Sequence, residues 1–317
     1  MNYKKLGNTE IKVSEIAFGT VELGMPYGLN MASAKHNISK KDAIFLLHKA
    51  LDEGINFYDT ARLYGNSEDI LGQAFERNRN EIVIASKCRH FRLSDGKIPP
   101  KSSLKKVVYD SIQESLKKLK TDYIDVFMLH YADLEILEID ELYEVFSELI
   151  DKGIIRVPGI SVYEEKETKR ALEKGFWRVI QLPYNLMDQK HGKYFLEAHN
   201  KGVGIVARSV LMRGLLTDKS FSLHPKLKEV QDHIHLYKSL FNHNIENLPA
   251  LAMKFVASMK EVSSILIGID KMEFLAEAID CFNGEYLNEI ELKRAKKLEF
   301  PDQGFLNLAQ WDKNGWL

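Results

Sequence analysis

The sequence predicts a (β/α)8 TIM barrel with an N-terminal β-hairpin and a C-terminal extension. Eight short apolar runs alternate strictly with eight helix-like segments, the order that a closed parallel barrel demands. No run opens into a G-x-G-x-x-G turn and no P-loop occurs, so the doubly wound sheet lacks its markers. A length of 317 residues suits one large barrel as well as two ordinary domains. The strict alternation favours one domain over residues 1–317, with a tail from about 288 to 317 packing on it.

Residues 2–14 alternate loosely between polar and apolar around Gly7-Asn8, which reads as a hairpin. Glu15–Thr20 is the first barrel strand, and the loop from Val21 to Ile38 is long enough to suggest a functional role. Ser39-Lys40-Lys41-Asp42 reads as a capping box before Ala43, Leu47, Ala50 and Leu51, with Gly54 as the stop. The second strand is 55–59 and its helix about 67–76. The third strand is 82–87, followed by a helix with Leu104, Val108, Ile112 and Leu119 on one face and lysines on the other. The fourth strand is 123–130, with a helix carrying Leu142, Val145, Phe146 and Leu149. Strands five to eight fall at 157–162, 179–182, 204–209 and 264–268. Their helices fall near 164–174, 192–201, 248–259 and from Lys271 onward, with a less regular segment at 210–246. A last charged helix near 288–299 leads into a tail holding Trp311 and Trp316.

Composition bounds the partners. Apolar residues make up 45%, enough for a substantial core, and a net charge of −1 gives no footprint for nucleic acid or an anionic membrane. Two cysteines, Cys88 and Cys281, cannot form a disulfide framework and fit a reducing compartment. Met1–Lys5 is not followed by an apolar secretory core, and no run approaches the ~18 apolar residues of a spanning helix. The expectation is a cytoplasmic globular protein acting on a small molecule.

Chemistry gathers at strand ends. The second strand ends in Asp59, with Tyr64 in the loop behind it; the third ends in Lys87 and the fourth in His130. Singly, each has a structural explanation as a cap, an ion-pair member or a core histidine. Four at consecutive strand ends, on the barrel face where active sites lie, favour catalysis. A free phenol, with a pKa of about 10, is a poor acid at neutral pH. An ammonium beside it favours the phenolate and would make Tyr64 usable as a general acid, with Asp59 placing Lys87 and His130 orienting a carbonyl oxygen. No serine or cysteine nucleophile with a base is evident, and no metal-ligand spacing, so no metal is assigned. Such a group needs a hydride donor.

Asp-Thr-Ala-x-x-Tyr-Gly at 59–65, Ile-Ala-Ser-Lys at 84–87 and Asp-Tyr-Ile-Asp-Val-Phe-Met-Leu-His at 122–130 resemble the aldo-keto reductase family. The resemblance covers essentially the whole chain. It implies a barrel that binds NADP(H), or else NAD(H), without a Rossmann fold. Tyr64 would be the proton donor, Asp59 and Lys87 would tune it, and His130 would orient the substrate. Gly19 and Thr20 would lie by the nicotinamide, Ser161 and Gln181 would hold its carboxamide, and Arg208 would cover the ring. Ser209 and Leu211 would line the pyrophosphate, and Gly268 and Glu277 would face the adenosine end. Three positions depart from the family pattern: Val162 stands where Asn is usual, Arg208 where an aromatic is usual, and Ala278 where Asn is common. Lys271 is the obvious candidate for a 2′-phosphate, while Asp270 would repel one or accept from a ribose hydroxyl.

Tyr27, Tyr131 and Trp311 are candidate substrate contacts, as are Arg89 and His90. Trp311 and Trp316 either cross the mouth or pin the tail to the barrel's side. His224, His233, His235 and His243 fall in the segment after the seventh strand, where a lid fits better than a metal site. Cys88 should face away from Lys87 as a buried thiol. The loop Gly19–Gly28 is similar to a bacterial branch associated with sugar or cell-surface polysaccharide metabolism. The expected function is NAD(P)H-dependent reduction of an aldehyde or ketone, possibly sugar-derived, to the alcohol. A cofactor-binding regulatory protein with little turnover is the alternative, and isomerisation through a bound cofactor is a third.

Overall fold

Alternation along each strand sorts the side chains into two cores, and those cores define the molecule. The computed structural model describes residues 1–29, 38–93, 95–217, 220 and 223–317. β1 (Tyr3–Lys5) and β2 (Lys12–Ser14) form the antiparallel hairpin, joined through Gly7 at φ 61°. The barrel strands are β3 (Ile16–Gly19), β4 (Phe57–Asp59), β5 (Val83–Lys87), β6 (Ile124–Leu129), β7 (Ile155–Ser161), β8 (Val179–Pro183), β9 (Gly204–Arg208) and β10 (Val262–Gly268). All pair in parallel, and β10 closes onto β3, so the eight form a barrel with no edge. Phe57, Val83, Ala85, Val126, Met128, Val179 and Val206 fill its interior, and Leu6, Ile11 and Val13 of the hairpin plug its base. The opposite parity, including Phe18, Tyr58, Ile84 and Phe127, packs outward under the helices.

The helices are α1 (Val21–Gly24), α2 (Lys40–Asp52), α3 (Ser67–Phe75), α4 (Lys101–Leu119), α5 (Asp140–Asp151), α6 (Glu165–Lys174), α7 (Phe195–Asn200), α8 (Lys228–Leu236), α9 (Leu248–Ala257), α10 (Met272–Cys281), α11 (Glu289–Lys296) and α12 (Leu308–Lys313). Local signals set their ends. Ser39 Oγ accepts from the Asp42 amide to start α2, although the Asp42 carboxylate takes the Ser39 hydroxyl rather than reaching back to the backbone. Glu164 and Glu167 form a reciprocal capping box for α6, which Gly175 stops at φ 67°.

Two differences from the sequence reading have physical causes. The sixth helix begins as a 3-10 turn at Lys190–Tyr194 before α7. The segment 210–246 contains α8, held by buried Leu227, Val230, Ile234 and Tyr237 and by Tyr237 Oη donating to the Leu298 carbonyl. Its apolar stripe is narrow within a polar sequence, so periodicity alone missed it. Residues 30–37 of the long first loop, and 218–219 and 221–222 of the later segment, lie outside the described residues.

Candidate active site

Strand parity decides which side chains reach the mouth. The inward phase set by Phe57, Ala85, Met128 and Val179 carries Asp59, Lys87, His130 and Gln181 to the C-terminal end of the barrel. Cys88 falls on the other parity and packs under the helices, where burial pushes its thiol up to about 12. Tyr64 comes from the loop behind β4. That loop passes so close to α1 that a Cβ on Gly24 would lie 1.9 Å from the Tyr64 carbonyl oxygen, and one on Gly65 2.2 Å from that of Gly24. Glycine at both positions lets the loop lie flat and hold Tyr64 over the mouth.

Lys87 Nζ donates to Asp59 Oδ2 at 2.6 Å and to the Thr60 carbonyl at 3.0 Å, and lies 3.4 Å from Tyr64 Oη. Gln181 Nε2 donates to Asp59 Oδ1 at 2.7 Å, so both carboxylate oxygens are engaged. Asp59, Lys87 and Gln181 are all buried. The Tyr64 and His130 rings meet edge-on with centroids 5.5 Å apart, and His90 packs edge-on against His130 at 4.5 Å. His130 Nδ1 is buried and has no hydrogen-bond partner.

Burial lowers the Lys87 pKa, with Asp59 opposing the shift. Burial, followed by the charge of Asp59, raises the Tyr64 phenol well above its ordinary 10.0. This corrects the expectation that Lys87 lowers it. The ammonium makes its short contact with Asp59, and the pair offers the phenol little net positive charge. Burial, then Lys87, His90 and Arg208, hold His130 well below its ordinary 6.5. The resting site is therefore a protonated phenol and a neutral imidazole beside the Lys87–Asp59 pair.

Behind this group lies a second buried charge cluster. Arg62 pairs with Glu68, which also accepts from Ser86 Oγ at 2.7 Å and Ser115 Oγ at 2.6 Å. It braces the Tyr64 loop against β5 and α4.

A cavity of about 460 Å³ opens over the mouth, within the ~300–1,000 Å³ usual for ligand sites. Asp59, Tyr64 and His130 line it at one end, with Gly19, Thr20, Ser161 and Gln181 beside them. Arg208, Ser209 and Leu211 line it from β9 and the loop behind it, Gly268 lies beside Gly19 across the β10–β3 pair, and Asp270, Phe274 and Glu277 line the end formed by the β10 loop and α10; Tyr27 also faces it. Of the residues expected at the site, Lys87, Arg89, His90, Lys271, Tyr131 and Trp311 do not line it. Lys271 is exposed, with Nζ 5.4 Å from the Phe274 ring centroid. Tyr131 packs edge-on against Tyr163 at 5.2 Å, one residue removed from the cavity. Trp311 is 1% exposed and lies against Phe305 in the tail, so it pins the tail rather than shaping the mouth.

Arg208 Nη2 donates to the Val162 carbonyl at 2.8 Å, and its guanidinium lies 4.2 Å from the Tyr163 ring centroid. Val162 turns its side chain into the outer core and offers only its carbonyl here. Arg213 and Tyr163 line the cavity and went unassigned from sequence. Arg213 has φ 57°, sits 5.0 Å from the Tyr27 ring and pairs with Asp312 at 3.7 Å. Its only sequence signal was a cation shortly after a barrel strand end. The histidines after β9 are dispersed: His224 stacks on Trp316, His233 Nε2 is 2.8 Å from the Leu298 carbonyl oxygen, and His243 is exposed. Among the described residues, no group of three or more His, Cys, Asp or Glu is placed to hold a metal ion. Residues 210–214 and Thr217 line the cavity, whereas α8 packs on the C-terminal segment, which narrows the expected lid.

The model of the Aldo/keto reductase family matches residues 15–299. The chain belongs to the aldo/keto reductase family. It is 31% identical to YqkF of Bacillus subtilis, described as an uncharacterized oxidoreductase, over 92% of this chain and 95% of that protein. It is 27% identical to the NADH-specific methylglyoxal reductase of Escherichia coli, over 88% of this chain and 92% of that enzyme. The holo form of aldo-keto reductase AKR11C1 from Bacillus halodurans superposes with a TM-score of 0.78 at 26% identity, covering 94% of this chain and 96% of that one. Family and relatives make this aldo/keto reductase an oxidoreductase of the carbonyl-reducing type.

Proposed function

We propose that the protein reduces an aldehyde or ketone to its alcohol with a nicotinamide dinucleotide, using Tyr64 as general acid. The observation that carries this reading is the chain Gln181–Asp59–Lys87–Tyr64, with His130 beside it, at the mouth of the cavity. The lining offers groups that a dinucleotide would need. Arg208, which the resemblance places over the ring, lines the cavity together with Arg213, a cation, and Ser209 in a left-handed turn at φ 58°, donors suited to paired phosphates. Gly19 leaves no side chain beside Asp59, its β4 partner, where a planar ring would lie.

A reduced nicotinamide held there would supply a hydride for the carbonyl carbon. Tyr64 gives its proton to the carbonyl oxygen, completing the alcohol. The raised phenol pKa keeps that proton in place at rest, and Lys87 stabilises the negative charge left on Oη. His130, neutral, has a ring nitrogen to donate to the carbonyl oxygen and fix its direction. Asp59 holds Lys87, and Gln181 holds Asp59. Water then reprotonates Tyr64.

Tyr27 and Arg213 beside the mouth suit a polar substrate, and with the resemblance of loop Gly19–Gly28 they support a sugar-derived carbonyl. We take residues 1–317 as one domain. No helix among the described residues is long and apolar enough to cross a membrane. Both cysteines are unpaired and buried, which supports a reducing, cytoplasmic setting.

The test is turnover of a panel of simple aldehydes and sugar-derived ketones, with Tyr64→Phe as the control and nicotinamide fluorescence reporting binding. Turnover that collapses in the variant is expected. Binding without turnover in the natural protein would replace this reading with a cofactor-binding regulatory role.

A further inference from the structure

We infer that the protein discriminates against a 2′-phosphate and takes NADH in preference to NADPH, with Asp270 as the deciding residue. This rests on the reading of the cavity as a nicotinamide dinucleotide site. A nicotinamide at the Tyr64 end places the adenosine at the opposite end, over β10 and the start of α10. The charged side chains that line the cavity on the β10 loop and α10 are Asp270 and Glu277, and Glu22 lies against Gly268.

A phosphate monoester carries close to two negative charges at neutral pH and needs cations or free amide donors. Among the described residues none stands ready. Arg208 donates to the Val162 carbonyl and acts on the Tyr64 group, and Arg213 is taken by Tyr27 and Asp312. Lys271 leans over the Phe274 ring, outside the lining. The amide end of α10 already has Glu273 in its first turn, which offsets the helix dipole.

Among the described residues, Lys254 is a further cation near this end. It lies in an adjoining chamber of about 340 Å³, which shares Asn247, Pro249, Met253 and Glu277 with the main cavity. Lys254 is 5% exposed, yet Glu246, Glu277 and Asp280 line the same chamber, so carboxylates outnumber it three to one. A 2′-phosphate would thus meet Asp270 and Glu277 on one side and an acidic chamber on the other. The same carboxylates are good acceptors for a free ribose hydroxyl, the pairing by which an acidic residue selects the unphosphorylated cofactor. The phosphate is repelled where the hydroxyl is held.

The test compares dissociation constants for NADH and NADPH by nicotinamide fluorescence, at low and high salt, for the natural protein, Asp270→Ala and Asp270→Lys. Thermal melts confirm that each variant is folded. NADH is expected to bind at least about tenfold more tightly, ~1.4 kcal/mol. That ratio should shrink in Asp270→Ala, shrink further or invert in Asp270→Lys, and shrink with salt in the natural protein as like-charge repulsion is screened. Equal or tighter binding of NADPH by the natural protein would overturn the inference while leaving the reductase reading intact. A ratio indifferent to Asp270 would overturn the role of that residue. If neither dinucleotide binds, the cofactor reading itself fails, and this inference with it.

Discussion

The two ends of the cavity are built on opposite plans. At the Tyr64 end, strand-end side chains are buried and hydrogen-bonded to one another: Asp59 has both oxygens engaged, and Lys87 has three oxygens within 3.4 Å. At the far end, Asp270 is only partly buried, while Phe274 and Glu277 stand exposed on α10. The first end is over-determined by the barrel, so one lost partner unbalances the rest. The second is set by single side chains on a loop and a helix face, each replaceable without disturbing the barrel. Reaction type lives on the strands, and ligand preference on the elements around them.

The largest effect that would test this contrast is Tyr64→Phe. Steady-state assays should show turnover falling roughly 10²–10⁴-fold, the usual contribution of a positioned general acid, with dinucleotide binding retained. Residual turnover near the natural level would break the assignment of Tyr64. Lys87→Met should lower stability by about 3–5 kcal/mol, because it leaves the Asp59 carboxylate buried without its cation. Denaturant titration reads this directly, and an unchanged midpoint would mean that the pair is not the keystone described above.

A pH-dependent effect comes from His191, which is fully buried between Thr168 Oγ1 at 2.9 Å and the carbonyl of Tyr163, a cavity residue, at 3.1 Å. Burial pushes its pKa down to about 3 from 6.5. The folded state thus keeps it neutral while the unfolded chain takes up a proton. No penalty exists above pH ~6.5, and one accumulates as pH falls toward 3, at up to about 1.4 kcal/mol per pH unit. Relative to His191→Asn, the natural protein should lose about 2 kcal/mol between pH 6.5 and 5. Parallel stability curves for the two proteins would contradict a neutral buried imidazole. The smallest effect is expected from His90→Phe. His90 touches the site only through the His130 ring, so the efficiency kcat/KM should change by no more than about two- to tenfold. A larger loss would move His90 into the catalytic group.

The Tyr64 end was legible in the sequence because period-two alternation does the placing. Once 55–59, 82–87 and 123–130 read as barrel strands, Asp59, Lys87 and His130 had to emerge on one face, and the structure brings them together with Tyr64. Residues on loops and long helices carry no such phase. Lys271 looked available and instead lies over Phe274; Trp311 looked like a mouth residue and is interior to the tail; Arg213 was overlooked and lines the cavity. Lys254, the one charge in an otherwise apolar α9, was invisible as a chamber residue, because only the packing of α9 against α10 creates the chamber.

The sequence by itself determined the eight-fold alternation, the family membership and the four side chains gathered at the Tyr64 end, because strand period and barrel closure are local rules repeated eight times. Only the tertiary structure decided how those groups are charged and what surrounds the far end of the cavity. Burial and the short Asp59–Lys87 contact keep the Tyr64 phenol protonated, and the approach of α9, α10 and the β10 loop makes the far end acidic. Both are sums of distance and desolvation over residues far apart in the chain, and spacing along a sequence carries neither.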